Sequence, residues 1–203
     1  GKGKRPRGAT QLDTHITSGL RAGDTVTLAR ARTITVTAFE CDHTIPCLGF
    51  VFSQSSRRLR AEYQGLGAAE LKKLRYAGVD VTAPHSTPIF AFLGDTTAKI
   101  LAAATVDENG TGSAAQWGRW LRAGIPVVIT ECSFLEEKHR AQADRTKHTI
   151  WTDLEPVVRR WPATTFVLIH FSLRYEDDDI RRFFAAMPDP PGNIVVWADG
   201  SEG

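Results

Sequence analysis

Three short apolar runs in this chain each stop on a side chain that can bind a metal or move a proton. Residues 88–93 (Pro-Ile-Phe-Ala-Phe-Leu) lead through Gly94 to Asp95, residues 125–130 (Ile-Pro-Val-Val-Ile-Thr) end on Glu131, and residues 165–169 (Thr-Phe-Val-Leu-Ile) end on His170. Apolar runs of this length closed by a turn signal read as buried strands. Helices are expected between and after them, over 97–104, 114–123, 152–160 and 177–187, with a charged, partly helical stretch over 135–147. Strands alternating with helices give an α/β layered fold whose strand ends share one edge. A carboxylate or imidazole at such an end projects from a rigid support, which suits a ligand or a catalytic acid. Structural alternatives stand beside this reading. Asp95 can be the N-cap of a helix starting at Thr96, and His170 can be a buried histidine satisfied by its neighbours.

The first part of the chain is richer in β-formers. Residues 25–28 and 33–39 alternate polar and apolar and suggest adjacent strands of a half-buried sheet. Residues 48–52 make another strand, which places His43 in a loop between two strands, and 193–197 make a last one. Residues 56–77 are basic and polar and are expected to be helical, ending at Gly78 as a natural C′ residue. The 203 residues correspond to one domain or a large part of one. The expected division is a basic flexible segment over 1–12 and a globular body over 13–203. The first residue is Gly rather than Met, so the opening reads as a linker or an interior segment of a longer chain.

A net charge of +2 does not by itself demand a nucleic-acid partner. The cations are uneven, however, with Lys2, Lys4, Arg5 and Arg7 at the start and Arg57, Arg58, Arg60, Lys72, Lys73 and Arg75 later. Exposed basic groups of this kind can follow a phosphate backbone, although such runs are also ordinary solvated surface. Cys41, Cys47 and Cys132 are odd in number and include no Cys-x-x-Cys pair. That argues against a disulfide framework or a cysteine zinc site and suits a reducing compartment. The expected location is therefore the cytoplasm, with the mitochondrial matrix or another organelle as the alternative. No run approaches the apolar length of a membrane span.

His43, Asp95 and His170 are nitrogen and oxygen donors suited to Zn²⁺ or Mn²⁺. A bridging aspartate with one histidine on each side is a sensible core for two metals, which can steady both oxygens of an in-line phosphoryl displacement. Zinc takes about four ligands per ion, so three side chains supply at most half of a dinuclear site. His148 reads as a general acid or as a mere neighbour of a helix start, and His15, His85 and His139 read as surface residues. Trp117, Trp120, Trp151 and Trp161 read as core packing rather than as stacking platforms for bases.

Five motifs together resemble a known family. They are Phe-Glu-Cys-Asp-His-Thr-Ile-Pro-Cys-Leu-Gly-Phe over 39–50, Phe-Leu-Gly-Asp-Thr over 92–96, Thr-Glu-Cys-Ser-Phe over 130–134, Lys-His-Thr over 147–149, and Leu-Ile-His-Phe-Ser-Leu-Arg-Tyr over 168–175. In this order and spacing the chain resembles the C-terminal half of ribonuclease Z (tRNase Z), a metallo-β-lactamase-fold hydrolase. The resemblance implies part of an αββα sandwich, a mixed sheet with flanking helices, and an activity that cleaves precursor tRNA beyond the acceptor stem. It implies His43, Asp95 and His170 as metal ligands, with Asp95 bridging two zinc ions, and Glu131 with His148 as the pair that handles protons. It also implies precursor tRNA as the partner.

The family's His-x-His-x-Asp-His motif is not among these residues, since no two histidines here lie two apart. The half of the domain that carries it is accordingly expected on a complementary polypeptide or second subunit, and a homo-oligomer is compatible with the sequence. The span from His43 to Asp95 looks too short for the long arm that grips tRNA in bacterial relatives. The remaining alternatives are another hydrolase of this fold, and a non-catalytic scaffold subunit of a larger protein or ribonucleoprotein assembly.

Overall fold

Among the described residues, seven runs rich in β-branched and aromatic residues pair in chain order into one mixed sheet. The computed structural model describes residues 19–28, 31–103 and 113–198. The segment 1–12 and His15 lie outside them. Strands β1 (Thr25–Thr27), β2 (Ile34–Cys41), β3 (Cys47–Leu59) and β4 (Thr82–Phe92) run antiparallel to one another. From β4 onwards the sheet is parallel, through β5 (Val127–Glu131), β6 (Thr165–Ile169) and β7 (Ile194–Val196). Parallel neighbours need crossovers, and helices supply them. They are α2 (Lys99–Ala103) and α3 (Ser113–Arg122) before β5, α4 (Arg140–Thr146) and α5 (Trp151–Arg160) before β6, and α6 (Asp177–Ala185) before β7. A short helix, residues Ala68–Tyr76, joins β3 to β4 and is α1.

This is the expected α/β arrangement, with one local correction. The stretch 56–77 was expected to be helical, but its first residues continue β3 to Leu59 and only Ala68–Tyr76 is α-helix. Cross-strand pairing decides it, because Ser55 to Leu59 lie opposite Ser86 to Thr82 in a continuous ladder. β4 correspondingly begins at Thr82, well before the apolar run that announced it. Beyond Gln54, the last residue of β3 paired to β2, the two strands continue as a hairpin. At about 3.3 Å per residue the five residues Ser55–Leu59 carry it some 16 Å outward, tipped by α1. The span that looks too short for a long arm therefore builds a short one. Arg57, Arg58, Arg60, Lys72, Lys73 and Arg75 are all exposed on it. Two of them also brace it, since Arg57 pairs with Asp80 and Arg60 donates to the Asp80 and Thr82 carbonyls.

The helices pack on the sheet face that carries Phe39, Val51, Ala91, Val128, Phe166 and Leu168. Trp117 and Trp151 are fully buried there, Trp120 and Trp161 join the same core, and Phe39 meets Trp117 edge-on at 4.4 Å. The tryptophans are packing residues, as expected. Phe39 lies across Gly49, its cross-strand partner, so closely that a Cβ there would stand 2.0 Å from the ring. Gly49→Ala must push that ring into the two tryptophans, and an overpacked core of this kind costs roughly 1–3 kcal/mol. Urea denaturation should give that loss, and the double variant Gly49→Ala/Phe39→Leu should recover part of it. An unchanged midpoint in the single variant would contradict the packing.

The opposite face of the sheet is apolar too, but open. Phe52 and Phe90 stack at 4.2 Å and are half-buried, while Phe92 is 41% and Trp197 62% exposed.

Candidate active site

The C-terminal ends of β4, β5 and β6 deliver Asp95, Glu131 and His170 to one edge, because parallel neighbours in register must end together. The turn after β4 is tight: a Cβ on Gly94 would meet the Cys47 sulfur at 2.6 Å, so only glycine fits between the β2–β3 turn and Asp95. Asp95 is not a helix cap. α2 starts only at Lys99, and the Thr96 N–H is taken by the Glu131 carboxylate at 2.6 Å. Asp95 instead aims one oxygen at each of two imidazoles, Oδ2 at 4.0 Å from His43 Nε2 and Oδ1 at 3.7 Å from His170 Nδ1.

Glu131 is buried and surrounded by donors. Its carboxylate accepts from the Thr96 N–H, from the Ser133 hydroxyl at 2.5 Å, and from His148 Nδ1 at 2.9 and 3.0 Å. A carboxylate offers about four lone-pair sites, and these three donors occupy most of them. Asp95, Glu131, His148 and His170 all offer ligand atoms within 4.8 Å of one another. A carboxylate so engaged as that of Glu131 has little capacity left for an ion, and its bond to Nδ1 holds the His148 ring in place. His43 stands just outside that foursome but faces the free side of Asp95. The rings of His43 and His148 are 5.0 Å apart, and those of His148 and His170 5.5 Å.

All five residues singled out in the sequence therefore meet at one place. The structure adds others that the sequence reading passed over. Ser133, two residues past Glu131, bridges it to His170 Nδ1 at 3.2 Å; the strand-exit spacing was the available signal. Asp42 accepts from Lys147 Nζ at 2.8 Å and from the Thr97 hydroxyl at 2.7 Å. The Lys147 contact, aided by the hydroxyl, holds the Asp42 carboxyl below the usual carboxylate range. His139 is half-buried rather than a surface residue, bonded to the Tyr175 hydroxyl at 2.8 Å. The three cysteines are free thiols; burial and the neighbouring Cys47 push Cys41 up to about 12.

Sequence comparison gives 30% identity over 167 residues to tRNase Z TRZ1 of Arabidopsis thaliana, covering 81% of this chain and 55% of that protein. The chloroplastic tRNase Z TRZ2 of the same plant is 29% identical over 178 residues, or 87% of this chain and 46% of the relative. The chain is ribonuclease Z-like. It spans about half the length of the curated relatives it matches and corresponds to their C-terminal portion. A third relative, ribonuclease Z of Bacteroides fragilis, is 25% identical over 73% of this chain and 49% of its own length. No family model matches the chain. Among solved structures, the metallo-β-lactamase-fold protein YhfI of Bacillus subtilis aligns with 88% of this chain and 51% of its own at 10% identity and a TM-score of 0.45. The short form of human tRNase Z aligns with 70% of this chain and 37% of its own at 17% identity and a TM-score of 0.38.

The donors of this ribonuclease Z-like site suit a metal. The two oxygens of Asp95 face different imidazoles, as a bridging carboxylate requires. His43 Nδ1–H donates to the Lys147 carbonyl at 3.1 Å, which fixes the tautomer that leaves Nε2 free as a ligand atom. His170 is held with φ at 57°, and this left-handed exit from β6 turns its ring back over the edge. No helix of the described residues is long and apolar enough to cross a membrane.

Proposed function

We propose that this chain is the C-terminal half of a ribonuclease Z-like phosphodiesterase that cleaves precursor tRNA on the 3′ side, active once a complementary polypeptide completes its metal site. The observation that carries this reading is the meeting of His43, Asp95 and His170 beside a Glu131–His148 pair on one sheet edge. His43 Nε2, both oxygens of Asp95 and the His170 imidazole would hold zinc, or equally manganese. Metal held there supplies Lewis-acid chemistry at a phosphodiester.

The chain's own residues do the rest. Glu131 fixes the His148 ring through Nδ1 and leaves Nε2 as the atom that gives a proton to the leaving oxygen. Ser133 and the Thr96 N–H keep the Glu131 carboxylate from turning away. The exposed cations of the arm, Arg58, Lys72, Lys73 and Arg75 among them, offer a surface for an RNA backbone.

The complementary polypeptide is supported by the open apolar sheet face, where Phe52, Phe90, Phe92 and Trp197 form a patch of the kind that partners cover. It would also bring the ligands this chain lacks. The test is to isolate the chain with its native partner, count zinc and manganese per copy, and incubate the complex with a precursor tRNA carrying a 3′ trailer. Close to two ions per copy and trailer release are expected. A metal-loaded complex that leaves the precursor intact would overturn the reading in favour of a scaffold subunit.

A further inference from the structure

Lys147 is held in a way that stability alone does not explain. It closes α4 with φ 53° and ψ 52°, a left-handed conformation that glycine adopts freely and lysine does not. Its only described company at positive φ among non-glycine residues is His170, also in the site. Its main-chain carbonyl accepts from His43 Nδ1 at 3.1 Å, and its ammonium reaches Asp42, the residue before His43, at 2.8 Å. The next residue along is His148. Asp42 in turn is tied to the loop that carries Asp95: its N–H donates to the Thr96 hydroxyl at 3.1 Å, its carbonyl accepts the Thr97 N–H at 3.1 Å, and its carboxylate accepts the Thr97 hydroxyl. On the other side of His148, the Thr149 hydroxyl donates to the Thr96 carbonyl at 2.9 Å.

Lys147 and Asp42 together thus tie the three loops that bear His43, Asp95 and His148, which lie more than fifty positions apart in sequence. The Lys147–Asp42 pair is partly exposed on both sides, so as an ion pair it contributes little to stability. We propose that Lys147 is a positioning residue: its carbonyl sets the His43 tautomer and aims Nε2 at Asp95, and its ion pair with Asp42 keeps that carbonyl in place and His43 in register with His148. This rests on the reading of His43 as a metal ligand, but its first readout does not.

The experiment uses the full chain and four variants, Lys147→Gly, Lys147→Arg, Lys147→Met and Asp42→Asn, with the double variant of the last two. Nitrogen–proton correlation spectra of the histidine rings report the His43 tautomer, and thermal unfolding reports stability. Lys147→Gly relieves the strained backbone, so its melting temperature should be unchanged or higher. His43 should nevertheless pass from a single Nδ1–H tautomer to an exchanging mixture, as it should in Lys147→Met and Asp42→Asn. Lys147→Arg should retain the single tautomer, and the double variant should be no worse than either single one. Titration with Co²⁺ alone, followed by its visible absorption, should show affinity falling about tenfold where the tautomer is lost. A His43 tautomer unchanged in both Lys147→Gly and Asp42→Asn would overturn the proposal. A wild-type chain that binds no Co²⁺ while its tautomer still responds would count against the metal reading and leave the positioning role standing.

Discussion

Asp95→Ala should weaken metal binding by more than ~100-fold, beyond what loss of a residue that merely orients a ligand does. Asp95 is the one side chain that faces both imidazoles, at 4.0 and 3.7 Å, so its removal leaves His43 and His170 without a shared anion between them. The apo chain should barely notice. Asp95 is about half exposed and caps no helix, and substitutions at such positions move stability by no more than about 0.5 kcal/mol. Calorimetric titration with Zn²⁺, paired with urea denaturation of the metal-free chain, separates the two effects. Unchanged zinc affinity with unchanged stability would remove Asp95 from the site. Asp95→Asn, which keeps the shape but loses the charge, should fall closer to the alanine variant than to wild type.

The second large effect concerns the Glu131–His148 pair. In the metal-loaded, partner-bound protein, His148→Ala should lower the cleavage rate by roughly 10²–10⁴, the range over which a positioned acid or base contributes. RNA binding and metal content should stay as they were, since the His148 ring is held by Glu131. Glu131→Gln should lower the rate as well, because an amide cannot accept from Thr96 N–H, Ser133 and His148 on both of its heavy atoms. It should also lower stability, by an amount in the 1–3 kcal/mol range for a buried donor left unpaired. A metal content that falls with His148→Ala would reassign this histidine from proton carrier to ligand, which its place among Asp95, Glu131 and His170 makes a meaningful outcome.

The two variants at the edge of the sheet also distinguish this chain as enzyme half from this chain as scaffold. A scaffold subunit would keep its assembly role in both. Its open face, with Phe92 and Trp197 exposed, would still need covering.

Much of this was legible in the residues themselves. Short apolar runs ending at Asp95, Glu131 and His170 determined the alternation of strands and helices, and with it the shared edge, because such runs closed by turn signals read as strands and parallel neighbours in register end together. The tryptophans declared themselves as core by the same logic. The sequence misjudged the first part of 56–77, where local composition favours helix but the ladder from Ser55↔Ser86 to Leu59↔Thr82 wins, since β-structure is decided by a partner strand remote in sequence; Ala68–Tyr76 is helical as expected. Lys147, Asp42 and Ser133 stand within the motifs read from the sequence, but nothing local assigned them contacts. Their significance comes from contacts across 104, 105 and 37 positions of chain, from a left-handed backbone at Lys147 and His170, and from a buried carboxylate held by three donors. Periodicity records which face of an element is buried. Which side chains of different elements then touch, and in what tautomer, is settled only when the tertiary packing brings the loops together.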